Sequence, residues 1–133
     1  MALEKYLERA KGLNVSGLSH ATFSDAKTVQ FQLEPTLLLI CYLQLPWEEL
    51  RQALDNALSQ LRAGEIFGVW HSLGNVTEGF GGPPSPELNV DPETLRAWAE
   101  TSNLDANVEE RRREVVTAEG PREAIDVLLR ARL

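Results

Sequence analysis

TLLLICYLQLPWEELRQALDNALSQL, residues 36–61, is the stretch of sequence that decides the predicted fold. Its first ten residues are almost wholly apolar and are bounded by Pro35 and Pro46. These prolines favour a strand over a helix, because proline cannot continue a ladder of backbone hydrogen bonds. A strand that is apolar on both faces must be covered on both. Residues 46–61 then predict an amphipathic helix with a proline at its start and acidic side chains in its first turn.

The segments on either side of this stretch predict further strands and one more helix. Residues 2–11 have the apolar spacing of a helix, and residues 28–33 alternate between apolar and polar like a half-buried strand. Bulky residues over 66–73 predict another strand, across which residues 76–78 are expected to fold back. Residues 79–89 hold three glycines and three prolines and therefore predict a long loop.

The last third of the chain has the patterns of helices. Asp91, Pro92 and Glu93 form a helix start, with a capping side chain followed by proline and an acid. Residues 105–118 place acids and arginines where they would pair along a surface helix, and residues 121–132 predict a final helix. The expected fold is a single α+β domain over residues 1–133. It has a small antiparallel sheet of about three to five strands packed against helices, and a helical C-terminal third.

Charge and cysteine content restrict the classes of partner and compartment. The formal net charge is −7, which argues against binding to nucleic acid and to anionic membranes. The longest apolar run, residues 37–43, is far shorter than the ~20 residues that a membrane-spanning helix needs. The single cysteine, Cys41, and an N-terminus without a secretory signal predict a cytoplasmic protein.

No catalytic, metal or cofactor site is predicted from the motifs. His20 and His71 are the only histidines, and no serine has the spacing of a nucleophile elbow. One cysteine and two separated histidines do not give the ligand spacing of a zinc site. GFGG at residues 79–82 is followed by prolines rather than by a helix with a nearby lysine, so it does not fit a phosphate-binding loop.

The aromatic residues and the proline-rich loop suggest contact with another protein. Trp47 at a helix start and Phe80 in the glycine-rich loop are expected to be exposed anchors, and Pro83 and Pro84 can form a short polyproline segment. The favoured function is a non-enzymatic interaction domain, adaptor or chaperone-like. It is expected to form a homodimer through the apolar strand and to bind a protein partner.

One resemblance favours this reading. The passage from the strand through Leu45, Pro46 and Trp47 into the helix and the next strand is loosely similar to type III secretion chaperones. The likeness covers residues 1–75, and the helical tail predicted from Asp91 departs from the chaperone pattern.

Two alternatives stay open. The first is a small-molecule-binding or enzymatic α+β domain whose apolar pocket uses Tyr42, His20 or His71 as polar contacts. The second is a nucleic-acid mimic with carboxylates aligned on one face, which the interspersed arginines disfavour.

Overall fold

A computed structural model describes residues 26–31 and 36–133 of the chain. The helices and strands are, in chain order, β1 (Leu37–Cys41), α1 (Trp47–Ser59), β2 (Glu65–His71), α2 (Pro92–Thr101), β3 (Asp105–Thr117) and β4 (Gly120–Arg132). Two 3-10 turns, Leu73–Val76 and Pro86–Leu88, lie in the long connection between β2 and α2.

The four strands form one mixed sheet in the order β1-β2-β4-β3. β1 and β2 are parallel, with Leu38 opposite Ile66, and α1 makes the crossover that a parallel pair requires. β4 runs antiparallel between β2 and β3. The carboxyl ends of β1 and β2 therefore lie side by side at one edge of the sheet.

The hydrophobic core lies between the two helices and one face of the sheet. Leu50 and Leu54 of α1 and Leu95 of α2 are buried against the strands. Trp70 of β2 is the largest fully buried side chain. Its indole occupies the space beside Gly68, where any side chain would overlap the ring.

The predicted antiparallel sheet with a helical C-terminal third was wrong, because residues 105–132 are the hairpin β3–β4. The arginines pair across strands rather than along a helix: Arg112 lies 3.2 Å from Glu123 and Arg113 lies 2.8 Å from Asp126. In β4, every second residue from Ile125 to Ala131 is buried on the helix side of the sheet. Ala124 and Asp126 are buried on the other face. The alternation of buried and exposed residues that identifies a strand is therefore not visible in this part of the sequence.

The long apolar strand predicted over residues 36–45 is shorter in the structure. β1 ends at Cys41, because Tyr42 has a left-handed backbone with φ of 51°. Leu38 and Ile40 pack against the core. Leu37 and Leu39, on the other face, are 51% and 55% exposed, so within the described part of the chain this face of β1 is not covered.

The predictions for the flanking elements have mixed outcomes. The helix start at Asp91 is confirmed, and its carboxylate accepts a hydrogen bond from the backbone N–H of Glu93 at 3.1 Å. The prediction of a short strand over residues 76–78 was wrong, since Val76 is the last residue of a 3-10 turn, Leu73–Val76, and residues 77–78 are not in a strand. Residues 28–31, the described part of the 28–33 strand, are not in a strand either.

The predicted helix over residues 2–11 lies outside the described residues. Of the helices that the structure describes, none has the length and apolar character to cross a membrane.

Replacing Gly68 by alanine is expected to destabilise the protein by about 1–3 kcal/mol, because the added methyl group would force the buried Trp70 indole out of place. Urea unfolding followed by tryptophan fluorescence measures the change. Asn107→Ala, at an exposed position of β3, is the matched control and should stay within about 0.5 kcal/mol of wild type. Equal stability of G68A and wild type would contradict the packing described here.

Candidate functional site

Two aromatic side chains meet at the carboxyl ends of the parallel strands. Tyr42 follows β1 directly, His71 is the last residue of β2, and their ring centroids lie 4.5 Å apart. The Tyr42 backbone N–H donates to the carbonyl oxygen of Val69 at 2.8 Å, which fixes the left-handed residue against β2. In open α/β sheets, ligands bind outside the carboxyl ends of parallel strands. This edge is therefore a candidate ligand-binding site.

A buried carboxylate lies beneath these rings. Asp126 of β4 is 6% exposed. Its Oδ2 accepts a hydrogen bond from the Tyr42 hydroxyl at 3.1 Å and another from Arg113 Nε at 2.8 Å. A buried carboxylate needs a compensating partner, and the Arg113 guanidinium supplies one here.

The second oxygen of Asp126 faces His71. His71 Nδ1 lies 3.9 Å from Asp126 Oδ1, and both atoms are buried without a hydrogen-bond partner among the residues that the structure describes. For a hydrogen bond to form, these two atoms would have to move about 1 Å closer to each other. A carboxylate only accepts hydrogen bonds, so this arrangement favours the imidazole tautomer with its hydrogen on Nδ1.

Burial and neighbouring charges set the protonation of the two rings. Burial lowers the pKa of His71 below 6.5. The negative charge of Asp126 raises this pKa, and the positive charge of Arg113 lowers it further. The imidazole is therefore neutral at pH 7. Burial and the hydrogen bond to Asp126 raise the pKa of Tyr42 above 10.0, so its hydroxyl keeps its proton.

The loop after β2 is hydrogen-bonded to β4 through the side chain of Asn75, in the way that a neighbouring strand would be. Asn75 Nδ2 donates to the carbonyl oxygen of Ile125 at 2.7 Å, and its Oδ1 accepts from the Ile125 N–H at 2.7 Å. Further along, the Phe80 N–H donates to the carbonyl oxygen of Glu123 at 2.7 Å. The loop is thus anchored to β4 at two successive points, next to the candidate site.

The glycines of this loop lie against His71. Gly82 has a φ of +75°, and a Cβ atom at this position would come within 3.0 Å of the His71 side chain. Asn89 supports the turn by donating to the carbonyl oxygens of Pro83 and Ser85 at 3.0 and 3.1 Å. A residue other than glycine at position 82 would displace the imidazole.

The structure brings together two of the three predicted pocket residues, Tyr42 and His71, whereas His20 lies outside the described residues. Among the predicted partner-binding residues, Phe80 is 42% exposed, Pro84 is exposed and Pro83 is half-buried in the loop beside the site. Trp47 is half-buried and lies beside Pro86 and Asn89. Partner binding by these four residues stays a prediction.

The sequence interpretation missed Asp126 and Arg113. Arg113 was assigned to a solvated helix face, and Asp126 was not singled out. The available signal was an acid within an apolar alternation, since Asp126 lies between Ile125 and Val127. Over the described ranges, no three His, Cys, Asp or Glu side chains gather in a way that could hold a metal ion.

Asn75→Ala is expected to cost about 1–3 kcal/mol of stability, because it leaves the buried N–H of Ile125 without a partner and removes one of the two hydrogen bonds to its carbonyl oxygen, the other coming from the Ser72 N–H. Chemical unfolding measures the loss, and faster hydrogen exchange at the Ile125 and Phe80 amides locates it. Thr77→Ala, in the same loop but exposed, is the control and should change neither. If both variants had the same effect, the anchoring role of Asn75 would be wrong.

The lowered pKa of His71 predicts how stability depends on pH. The unfolded chain takes up this proton before the folded chain does, so the contribution of neutral His71 is complete above about pH 6.5. It is lost as the pH falls through the folded-state pKa. Unfolding free energies measured for wild type and His71→Gln between about pH 7.5 and about pH 5 should therefore converge on acidification.

Two further measurements check this pH effect. An NMR titration of the imidazole should give a pKa below 6.5 for His71. The same comparison in a His20→Gln background removes the titration of the other histidine. A difference that stays constant or grows on acidification would contradict the burial of the neutral ring.

Similarity to known proteins is found in the fold and not in the sequence. No protein-family model matches the sequence, and no curated protein matches it at a significant level. The structure is similar to that of TehB from Haemophilus influenzae, with a TM-score of 0.67 and 13% identity, over 94% of this chain and 44% of that one. It is also similar to a SAM-dependent methyltransferase from Methanosarcina mazei, with a TM-score of 0.50 and 9% identity, over 81% of this chain and 64% of that one.

The chain therefore spans less than two thirds of the length of either structure. At these identities the likeness concerns the fold alone. It contradicts the prediction of a non-enzymatic adaptor or chaperone-like domain, since one of the matching folds is that of a SAM-dependent methyltransferase; the predicted homodimer stays a prediction. It favours the alternative, a small-molecule-binding or enzymatic domain.

Proposed function

We propose that this chain supplies the acceptor-binding part of a methyltransferase-like enzyme, with a small molecule bound at the carboxyl ends of β1 and β2. The observation that carries the proposal is the convergence of Tyr42, His71 and buried Asp126 at this edge. Ligands of open α/β sheets bind at this kind of edge, and the fold is similar to that of a SAM-dependent methyltransferase. The net charge of −7 also supports a small molecule over nucleic acid.

S-Adenosylmethionine itself does not fit the described residues. Nucleoside cofactors on such sheets bind at a glycine-containing turn after a strand, with an acidic side chain for the ribose hydroxyls. The β1–α1 connection, residues 42–46, reads YLQLP and holds neither. The space beside Gly82 is filled by His71 and Asn89, so this glycine does not open a cradle either. No chemical step is therefore assigned through the methyl donor.

The described residues bind and orient the acceptor molecule. The neutral imidazole of His71 offers a polar contact, and Asp126 and Arg113 form a compensated ion pair behind it. The glycine-rich loop, anchored through Asn75 and Phe80, covers this edge and fixes the distance between its backbone and the imidazole. A rigid polar contact of this kind determines the orientation of a ligand.

A fragment screen by two-dimensional NMR of the labelled 133-residue chain tests the proposal. Bound fragments are expected to shift the signals of Tyr42, His71 and Gly82. Arg113→Gln, which leaves the buried Asp126 without its cation, should weaken their binding by at least about tenfold.

The chain offers a matched control for this experiment. Arg122 lies on the same hairpin as Arg113 but pairs with Glu119 at 3.2 Å near the turn, so Arg122→Gln should leave the affinity within about twofold. Fragments that cluster instead in the groove between α1 and α2, lined by Trp47 and Trp98, would overturn the proposal. Equal losses in the two variants would overturn it as well.

A further inference from the structure

We propose that this site takes a neutral hydroxyl compound with an apolar body, such as a phenol, and that His71 accepts the ligand's hydrogen bond through Nε2 while Asp126 orients the imidazole. The inference rests on the proposed function and specifies the chemistry of its ligand. Asp126 is a positioning residue in this arrangement, since it acts through His71.

The tautomer of His71 determines which of its ring nitrogens can accept a hydrogen bond from a ligand. Asp126 Oδ2 already accepts hydrogen bonds from Tyr42 and Arg113. Asp126 Oδ1 has no partner, and His71 Nδ1 is the buried polar atom that faces it at 3.9 Å. A carboxylate oxygen can only accept, so a hydrogen on Nδ1 is the arrangement that this facing oxygen favours, and it leaves the lone pair of Nε2 for a ligand. The His71 side chain is 16% exposed, so the ring is not closed off from solvent.

The balance of charge around the ring determines which ligand charge the site favours. Within residues 26–31 and 36–133, the ionisable groups that face His71 are Tyr42 at the end of β1, Asp126 of β4 and Arg113 of β3. From the loop, Gly82 and Asn89 approach it, and neither is charged. Tyr42 keeps its proton, and the opposite charges of Asp126 and Arg113 compensate each other. The site therefore has no excess charge with which to hold an anion or a cation, and a neutral ligand fits best.

The polarity of the surroundings determines which ligand body the site favours. Side chains alternate along a strand, so Val69 of β2 lies on the same face as His71, two residues before it, and Cys41 lies opposite Val69 in the register. Val69 is half-buried, and Cys41 and Phe80 of the loop are exposed. An apolar body can rest on such side chains while its hydroxyl group donates to Nε2. An ether of the same shape has no hydrogen to donate.

Four probes of one shape separate these possibilities. 4-Methylphenol donates a hydrogen bond and is neutral, 4-methylanisole is its ether, 4-methylbenzoate is an anion and 4-methylbenzylamine is a cation. Titration into the labelled chain gives affinities, and the imidazole ¹⁵N signals report the tautomer and the contact. We expect 4-methylphenol to bind at least about tenfold more tightly than 4-methylanisole and to shift His71 Nε2. Binding should weaken as the pH falls through the measured pKa of His71, because a protonated Nε2 no longer accepts.

Asp126→Asn tests the orienting role. The amide can donate a hydrogen bond to Nδ1, which would move the ring hydrogen to Nε2 and remove the preference for the phenol. The loss of the negative charge should also lower the pKa of His71 further. Glu119→Gln, a charge change at an exposed position in the turn between β3 and β4, is the control and should leave tautomer, pKa and preference unchanged. The probe series and the pH profile need only wild type, so they decide the question even if D126N does not fold.

The outcomes distinguish this inference from the proposed function. Equal binding of the phenol and its ether, or tightest binding of the benzoate or the amine, overturns the hydroxyl assignment and leaves the ligand site in place. Failure of all four probes to perturb His71, when screened fragments do bind there, overturns it too. Absence of any fragment at this edge overturns the proposed function itself.

Discussion

The Asp126 carboxylate connects all four strands of the sheet. It belongs to the central strand β4, and it meets Tyr42 after β1, His71 at the end of β2 and Arg113 of β3. Burying one charge among apolar neighbours is unfavourable unless its partners are correctly placed. The ends of the strands are therefore constrained by a single side chain, and the site exists only when the sheet has its native order.

Packing on the other side of the sheet supports this constraint. The register that places Trp70 opposite Val127 also places His71 opposite Asp126. Successive residues point to opposite faces, so Trp70 enters the core while His71 faces the site. A slip of one residue would exchange these roles, which would bury an imidazole in the core and expose an indole. The core fixes the geometry of the site through this register.

Some of this organisation could be predicted from the sequence, because local signals dominate there. The crossover helix and the helix after Asp91 have start signals and apolar stripes that depend on a few neighbouring residues. The C-terminal hairpin could not be predicted in this way. The acidic partners of Arg112 and Arg113 lie across the strand pair, on β4. Other acids lie three and four residues away along the chain, and this spacing wrongly predicts ion pairs along a helix. Tyr42 and His71 were selected as polar residues near apolar ones, but the partner that joins them, Asp126, lies far away in sequence.

The side chain of Asn75 has a consequence for how this fold can diversify. Its amide takes the place of a strand residue beside Ile125, so the backbone is free to leave the sheet there without exposing unpaired groups. The turn Pro86–Leu88 lies beyond this anchor and beyond the contact of Phe80 with β4. Changes of length and sequence in that turn can alter the surroundings of the proposed site while the imidazole keeps its position. One end of the loop can therefore vary in sequence while the polar contacts at the other end keep their geometry.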